Sequence, residues 1–213
     1  MTINRRDTII LAAAASFATL AGLGSVQAQE GTTQDVGALA NVALPDRVLG
    51  DESAEVTVIE YASPTCPHCA SFHNDVYPQF KAEYIDTGKV KYVLRPFTRN
   101  VLDAVVFMLA EAAGEERYHE VVNTYFRTFD QWATSERPRD AILEIAKQLG
   151  FTDESFEAAL TNQDLFTAME TMREQALNEF NLEGTPTFYI NGKQLTGGKT
   201  LEDLKAEIDP LLT

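Results

Sequence analysis

Cysteine is almost absent from this chain. Its 213 residues hold two, Cys66 and Cys69, alongside one tryptophan and three histidines. Positive charge is also scarce: 17 lysines and arginines face 32 acidic residues, a formal net charge of −15. That balance argues against nucleic acid and anionic membrane surfaces as partners, because both repel an acidic surface. Long apolar runs are confined to the start. Ile9 to Gly24 spans about 16 residues, short of the roughly 20 a spanning helix needs, and no later segment is as apolar.

The run follows Arg5-Arg6 and precedes Val26-Gln27-Ala28. A basic start, an apolar stretch and a small-residue cleavage site predict a removable export signal over residues 1–28. The adjacent arginines fit a twin-arginine signal, and an ordinary secretory signal fits nearly as well. No cysteine follows the run to take a lipid. Loss of Arg5, Arg6 and Asp7 leaves 15 basic and 31 acidic residues, a net charge of −16. The remaining 185 residues (213 less 28) suit one domain with an embellishment, or two small lobes. A core of that size needs no covalent staple.

Two cysteines in an exported protein are often a staple. Here the spacing argues for chemistry instead. Closing a loop of about four residues stabilises by only ~2 kcal/mol, against nearly 5 for a 100-residue loop. A pair spaced C-x-x-C at a strand-to-helix junction can instead cycle between dithiol and disulfide. Cys66-Pro67-His68-Cys69 occupies such a junction, after the β-branched run Glu55 to Tyr61 and before Phe72, Val76, Phe80 and Tyr84. Those four recur every four residues and predict a helix to about Asp86, ended by Thr87-Gly88. Lys89 to Leu94 predicts a second strand, parallel to the first across a right-handed crossover.

Residues 29–50 read as extended or loosely packed. From Val101 to Phe180 the pattern is helical throughout, with stripes at Val101, Val105 and Leu109, at Val122, Phe126 and Phe129, at Ile142, Ala146 and Leu149, and at Leu165, Met169, Met172 and Leu177. These stripes read as core. After Gly184, Thr187 to Ile190, the turn Asn191-Gly192 and Lys193 to Thr196 predict a hairpin. Thr200 then caps a last helix, with Asp203 three residues on. Gly198-Lys199-Thr200 resembles the end of a phosphate-binding loop, but Lys193 stands where that motif needs glycine. The outline is β-α-β, a helical block, then β-β-α. It divides as an extension 29–50, a first part of the sheet domain 51–97, a helical insertion 98–182 and a second part 183–213.

Cys66 is expected at the helix N-cap or first turn, its sulfur held as a thiolate by backbone N–H groups. His68, when protonated, adds a favourable charge, with a plain surface histidine as the bland alternative. Cys69 is the resolving partner. A metal site on Cys66, His68 and Cys69 would lack a second ligand cluster. Covalent haem needs histidine where Ala70 stands. His73 and His119 read as structural or solvated. Glu60, an acid in an apolar strand, needs a raised pKa or a specific neighbour if buried. It is a candidate for moving the proton of Cys69, and a solvent-facing acid is the equal alternative. Pro186, after Thr185, belongs at a strand start or a cis turn.

At this point the chain resembles thioredoxin-fold disulfide oxidoreductases of the DsbA type. The resemblance rests on VTVIEYASPT before Cys66-Pro67-His68-Cys69, on FHNDVYPQFKAEYIDTGKVKYVLRPF after it, and on GTPTFYINGK. It covers residues 50–97 and 183–212 and implies an α/β thioredoxin fold with an inserted all-helical domain. It implies Cys66 as exposed nucleophile, Cys69 as buried partner, Glu60 as buried acid and Lys91 as a basic residue near that acid. Pro186 becomes the cis-proline facing the disulfide, with Thr185 contacting substrate in an extended pose. Pro67-His68 resembles the strongly oxidising members, whereas threonine at 185 looks more like isomerases. The implied activity is oxidation of thiols in exported polypeptides in the periplasm, with a membrane quinone-linked partner and no cofactor or metal. An isomerase or reductase is the alternative, and outside that class a chaperone or metal-binding module. Residues 29–50 leave no room for a long dimerisation domain.

Overall fold

A computed structural model describes residues 32–213, so the expected export signal lies outside the described residues. The segment before the sheet is ordered, contrary to the loose packing expected of it. It forms a short helix α1 (Val36–Ala40) and a strand β1 (Val48–Gly50). Arg95 explains why. Its guanidinium is buried and needs acceptors, which this segment provides. Arg95 donates to the Asp46 carboxylate at 2.7 and 2.8 Å and to the Leu39 carbonyl at 2.6 Å.

The central strand β2 (Val56–Ala62) is buried at every position but Thr57. The helix behind it is less regular than its sequence implies. It runs through α2 (Pro67–Ser71), a π turn π1 (Phe72–Val76), α3 (Tyr77–Phe80) and a second π turn π2 (Lys81–Ile85). A strict period of four drifts about 40° per step around an α-helix of 3.6 residues per turn. Wider turns take up that drift. Pro78 has no N–H for an α-helical bond, and just before it the Tyr77 N–H reaches back five residues to the Phe72 carbonyl.

Strand β3 (Val90–Pro96) returns parallel to β2, with Glu60 opposite Leu94. Six helices follow where four stripes were read: α4 (Val101–Ala112), α5 (Glu115–Arg127), α6 (Phe129–Trp132), α7 (Pro138–Gln148), α8 (Asp153–Ala159) and α9 (Gln163–Asn178). The hairpin β4 (Thr187–Ile190) and β5 (Lys193–Thr196) turns at Asn191-Gly192, both at positive φ. Any side chain at Gly192 would lie 2.5 Å from the Gln34 carbonyl. Helix α10 (Leu201–Ile208) begins at Thr200, whose hydroxyl and the Asp203 carboxylate cap each other's N–H groups.

The sheet order is β1-β3-β2-β4-β5, with only β2 and β3 parallel. Val58, Tyr92, Leu94 and Phe188 pack on one face with the Cys66 helix and most of the helical block. Ile59, Tyr61, Val93 and Tyr189 pack on the other with Met172, Ala176 and Phe180. This is the thioredoxin fold with a helical insertion. Among the described residues, no helix is long and apolar enough to cross a membrane.

Candidate active site

Cys66 is the N-cap of α2, where extended backbone (φ −88°, ψ 118°) turns into helix and Pro67 occupies the first turn. Proline suits that place because its missing N–H would be unpaired there. Cys66 lies beneath Thr185 and keeps 3% of its surface, so the exposed nucleophile that was expected is largely covered. Its thiol donates to the Thr185 carbonyl at 3.2 Å. The sulfur is nevertheless set up as an anion, its pKa lowered from 9.0 to about 5. The largest cause is a hydrogen bond from the Cys69 thiol. The Thr185 side chain and the N–H groups of Cys69 and His68 add to it, against an opposing cost of burial.

Cys69, fully buried, shows the reverse behaviour. Burial pushes its thiol well above the ordinary value, and the charges of Cys66 and Glu60 push the same way. One sulfur is therefore a thiolate at neutral pH and the other a thiol.

Glu60 is completely buried and has specific partners. Tyr92 donates to one carboxyl oxygen at 2.5 Å, and His73 Nε2 lies 3.2 Å from the other. The solvent-facing alternative is thus excluded. Lys91 is not near this acid. Register sets it opposite Thr57, one residue out of phase with Tyr92, and so on the other face of the sheet. His68 has an exposed ring, and the part of it acting on Cys66 is the backbone N–H. Pro186 is buried and follows a cis peptide bond from Thr185.

Asp103, in the first turn of α4, is a site residue that sequence reasoning missed. It accepts the Ser63 hydroxyl at 2.9 Å on both oxygens, the Thr65 N–H at 2.7 Å and the Arg99 N–H at 2.8 Å. The backbone carbonyl of Ser63 accepts the Cys66 N–H at 2.9 Å. A helix of the insertion thereby fixes the loop that presents Cys66. Asn100, its N-cap, adds a 2.8 Å bond to the Thr65 hydroxyl. A first-turn acid resembles an ordinary answer to the helix dipole, so nothing local marks it.

An activated thiolate beneath a cis-proline loop and a buried thiol beside it define a dithiol site of the thioredoxin type. A family model described as thioredoxin matches residues 43–210. The chain belongs to that family. It is 34% identical over 170 residues to a Rickettsia conorii protein named as a protein-disulfide oxidoreductase, a match covering 78% of this chain and 60% of that one. It is 26% identical over 174 residues to disulfide bond formation protein D of Bacillus subtilis, covering 76% and 75%. The crystal structure of α-DsbA1 from Wolbachia pipientis superposes with a TM-score of 0.76 at 28% identity, covering 82% of this chain and 94% of that one. The chain spans about 60% of the length of its Rickettsia conorii relative.

Proposed function

We propose that this protein oxidises pairs of thiols in exported polypeptides, by disulfide exchange through Cys66 and Cys69, in the periplasm. The observation that carries this is the split between the sulfurs, Cys66 lowered to about 5 and Cys69 raised well above 9.0. A stable thiolate is a good leaving group, and stabilising the reduced form makes the disulfide a stronger oxidant.

A client thiolate attacks Cys66 in the oxidised protein. The Cys66–Cys69 bond breaks, a client–Cys66 disulfide forms, and Cys69 leaves with the electron pair. A thiolate is costly at that buried site, so Cys69 takes a proton, and the carboxyl of Glu60 is its source. A second client thiolate then attacks the client sulfur, expelling Cys66 as the thiolate. The client gains a disulfide and the protein is left reduced. A membrane quinone-linked partner removes the two electrons. Thr185 and Pro186, lying over Cys66, receive the client as an extended strand. Residues 1–28 direct export, and 98–182 form the insertion between the two parts of the sheet domain.

The test is a redox titration of the Cys66–Cys69 pair at several pH values. An oxidase has a potential well above the thioredoxin range of about −270 mV. With Cys66 a thiolate, reduction takes up one proton per two electrons, so the potential falls by about 30 mV per pH unit. A potential at or below the thioredoxin range assigns the protein as a reductase. An isomerase is the second reading, favoured by threonine at 185. It would reshuffle a scrambled client faster than it oxidises a reduced one.

A further inference from the structure

His73 lies four residues beyond Cys69 on the same helix and takes no part in the steps above. Both of its ring nitrogens are engaged. Nδ1 donates to the Asn123 side-chain oxygen at 2.7 Å, and Nε2 lies 3.2 Å from Glu60. With Nδ1–H given to Asn123, the second contact needs a proton between ring and carboxyl, carried by one or the other. The ring stacks on Phe126 at 4.1 Å and 13°, which fixes its plane. The side chain is itself buried, only 1% exposed. His73 and Asn123 help to line a cleft of about 300 Å³ between the Cys66 helix and α5. The ring therefore stands between a carboxyl in the protein interior and the wall of that cleft.

We propose that His73 is a positioning residue that renews the proton on Glu60, drawing it from the surface cleft so that Glu60 can protonate Cys69 in every turnover. This rests on the exchange reading above. When the Cys66–Cys69 bond breaks, the Cys69 thiolate takes the Glu60 proton. The one proton between Nε2 and the carboxyl is then spent; a proton drawn from the cleft charges the ring, and Nε2–H passes it to the carboxylate, leaving the ring neutral and Glu60 protonated again. One proton enters for each Cys69 thiol formed, and no electrons move along the path.

The groups around the ring leave this pair alone to carry the proton. Tyr77 on the same helix and Tyr92 on β3 are buried phenols with pKa values pushed up, so both stay neutral. His119 on α5 is held neutral, its pKa lowered to about 4 chiefly by burial. Lys81, Glu120 and Arg127 line the cleft, where water screens them.

The test is single-turnover reduction of the oxidised full chain by dithiothreitol across pH. His73→Gln keeps amide hydrogen bonds but carries no transferable proton. It should slow the step that releases Cys69 by about tenfold, the low end of the range for a positioned proton donor, and change its pH profile. Alkylation of reduced Cys66 should keep its wild-type rate. His73→Ala opens the ring position to the cleft, and added imidazole should restore the rate. A His73→Gln profile that superimposes on wild type overturns the proposal. So does a slowed His73→Ala protein that imidazole leaves slow. Failure of the functional reading looks different: wild type itself then exchanges no disulfide with thiols, and both inferences fall.

Discussion

The Cys66 thiol donates to the Thr185 carbonyl at 3.2 Å, joining residues 119 positions apart in the chain. That bond belongs to the neutral thiol, whereas the Thr185 side chain favours the Cys66 anion. Thr185→Val keeps shape and backbone but removes the hydroxyl. It should raise the Cys66 pKa by about one unit, worth ~1.4 kcal/mol of thiolate preference. Thiolate ultraviolet absorbance followed against pH measures this. An unmoved midpoint would remove Thr185 from the stabilisation of the anion.

The stability of the reduced protein should depend on pH through Cys66. Its folded pKa of about 5 lies below the value of 9.0 for a free thiol. The stabilisation is therefore fully present above about pH 9 and is lost as pH falls through about 5. Between those limits the reduced protein should lose ~1.4 kcal/mol per pH unit on acidification, relative to Cys66→Ser. Cys69, shifted upward, is a thiol in both states across this window and is silent. Denaturant melts of both proteins at three pH values decide it; parallel curves would contradict the depressed pKa.

Asp103 should matter for both stability and reactivity. Asp103→Asn replaces an acceptor of the Ser63, Thr65 and Arg99 donors with a group that is half donor. Bonds to a charged acceptor are worth about 1.5–3 kcal/mol each, so a loss of ~2–3 kcal/mol is expected even after rearrangement. Cys66 alkylation should slow as well, because its loop loses its anchor in α4. Wild-type stability with unchanged alkylation would show the clamp to be incidental.

What could be read from the sequence was local. The Cys66–Cys69 junction, the Asn191-Gly192 hairpin and the Thr200 cap depend on neighbours a few residues away, and each formed as expected. What stayed hidden depended on pairing across the chain. Asp103 becomes a site residue only because α4 docks against the loop before Cys66. His73 looked like a structural or solvated helix residue until α5 brought up Asn123 and β2 brought up Glu60. Lys91 was displaced from the site by one step of register. The ordered β1 segment reflects the need of a buried Arg95 for acceptors, which no apolar pattern reveals. The π turns were visible in principle, since a period of four is too long for an α-helix.

The most direct test of the account is the rate of Cys66 alkylation in the folded, reduced protein as a function of pH. The predicted result is a single rise with a midpoint near pH 5, with Cys69 unreactive until the protein unfolds. A midpoint near that of a free peptide thiol, about 8.5, would contradict it.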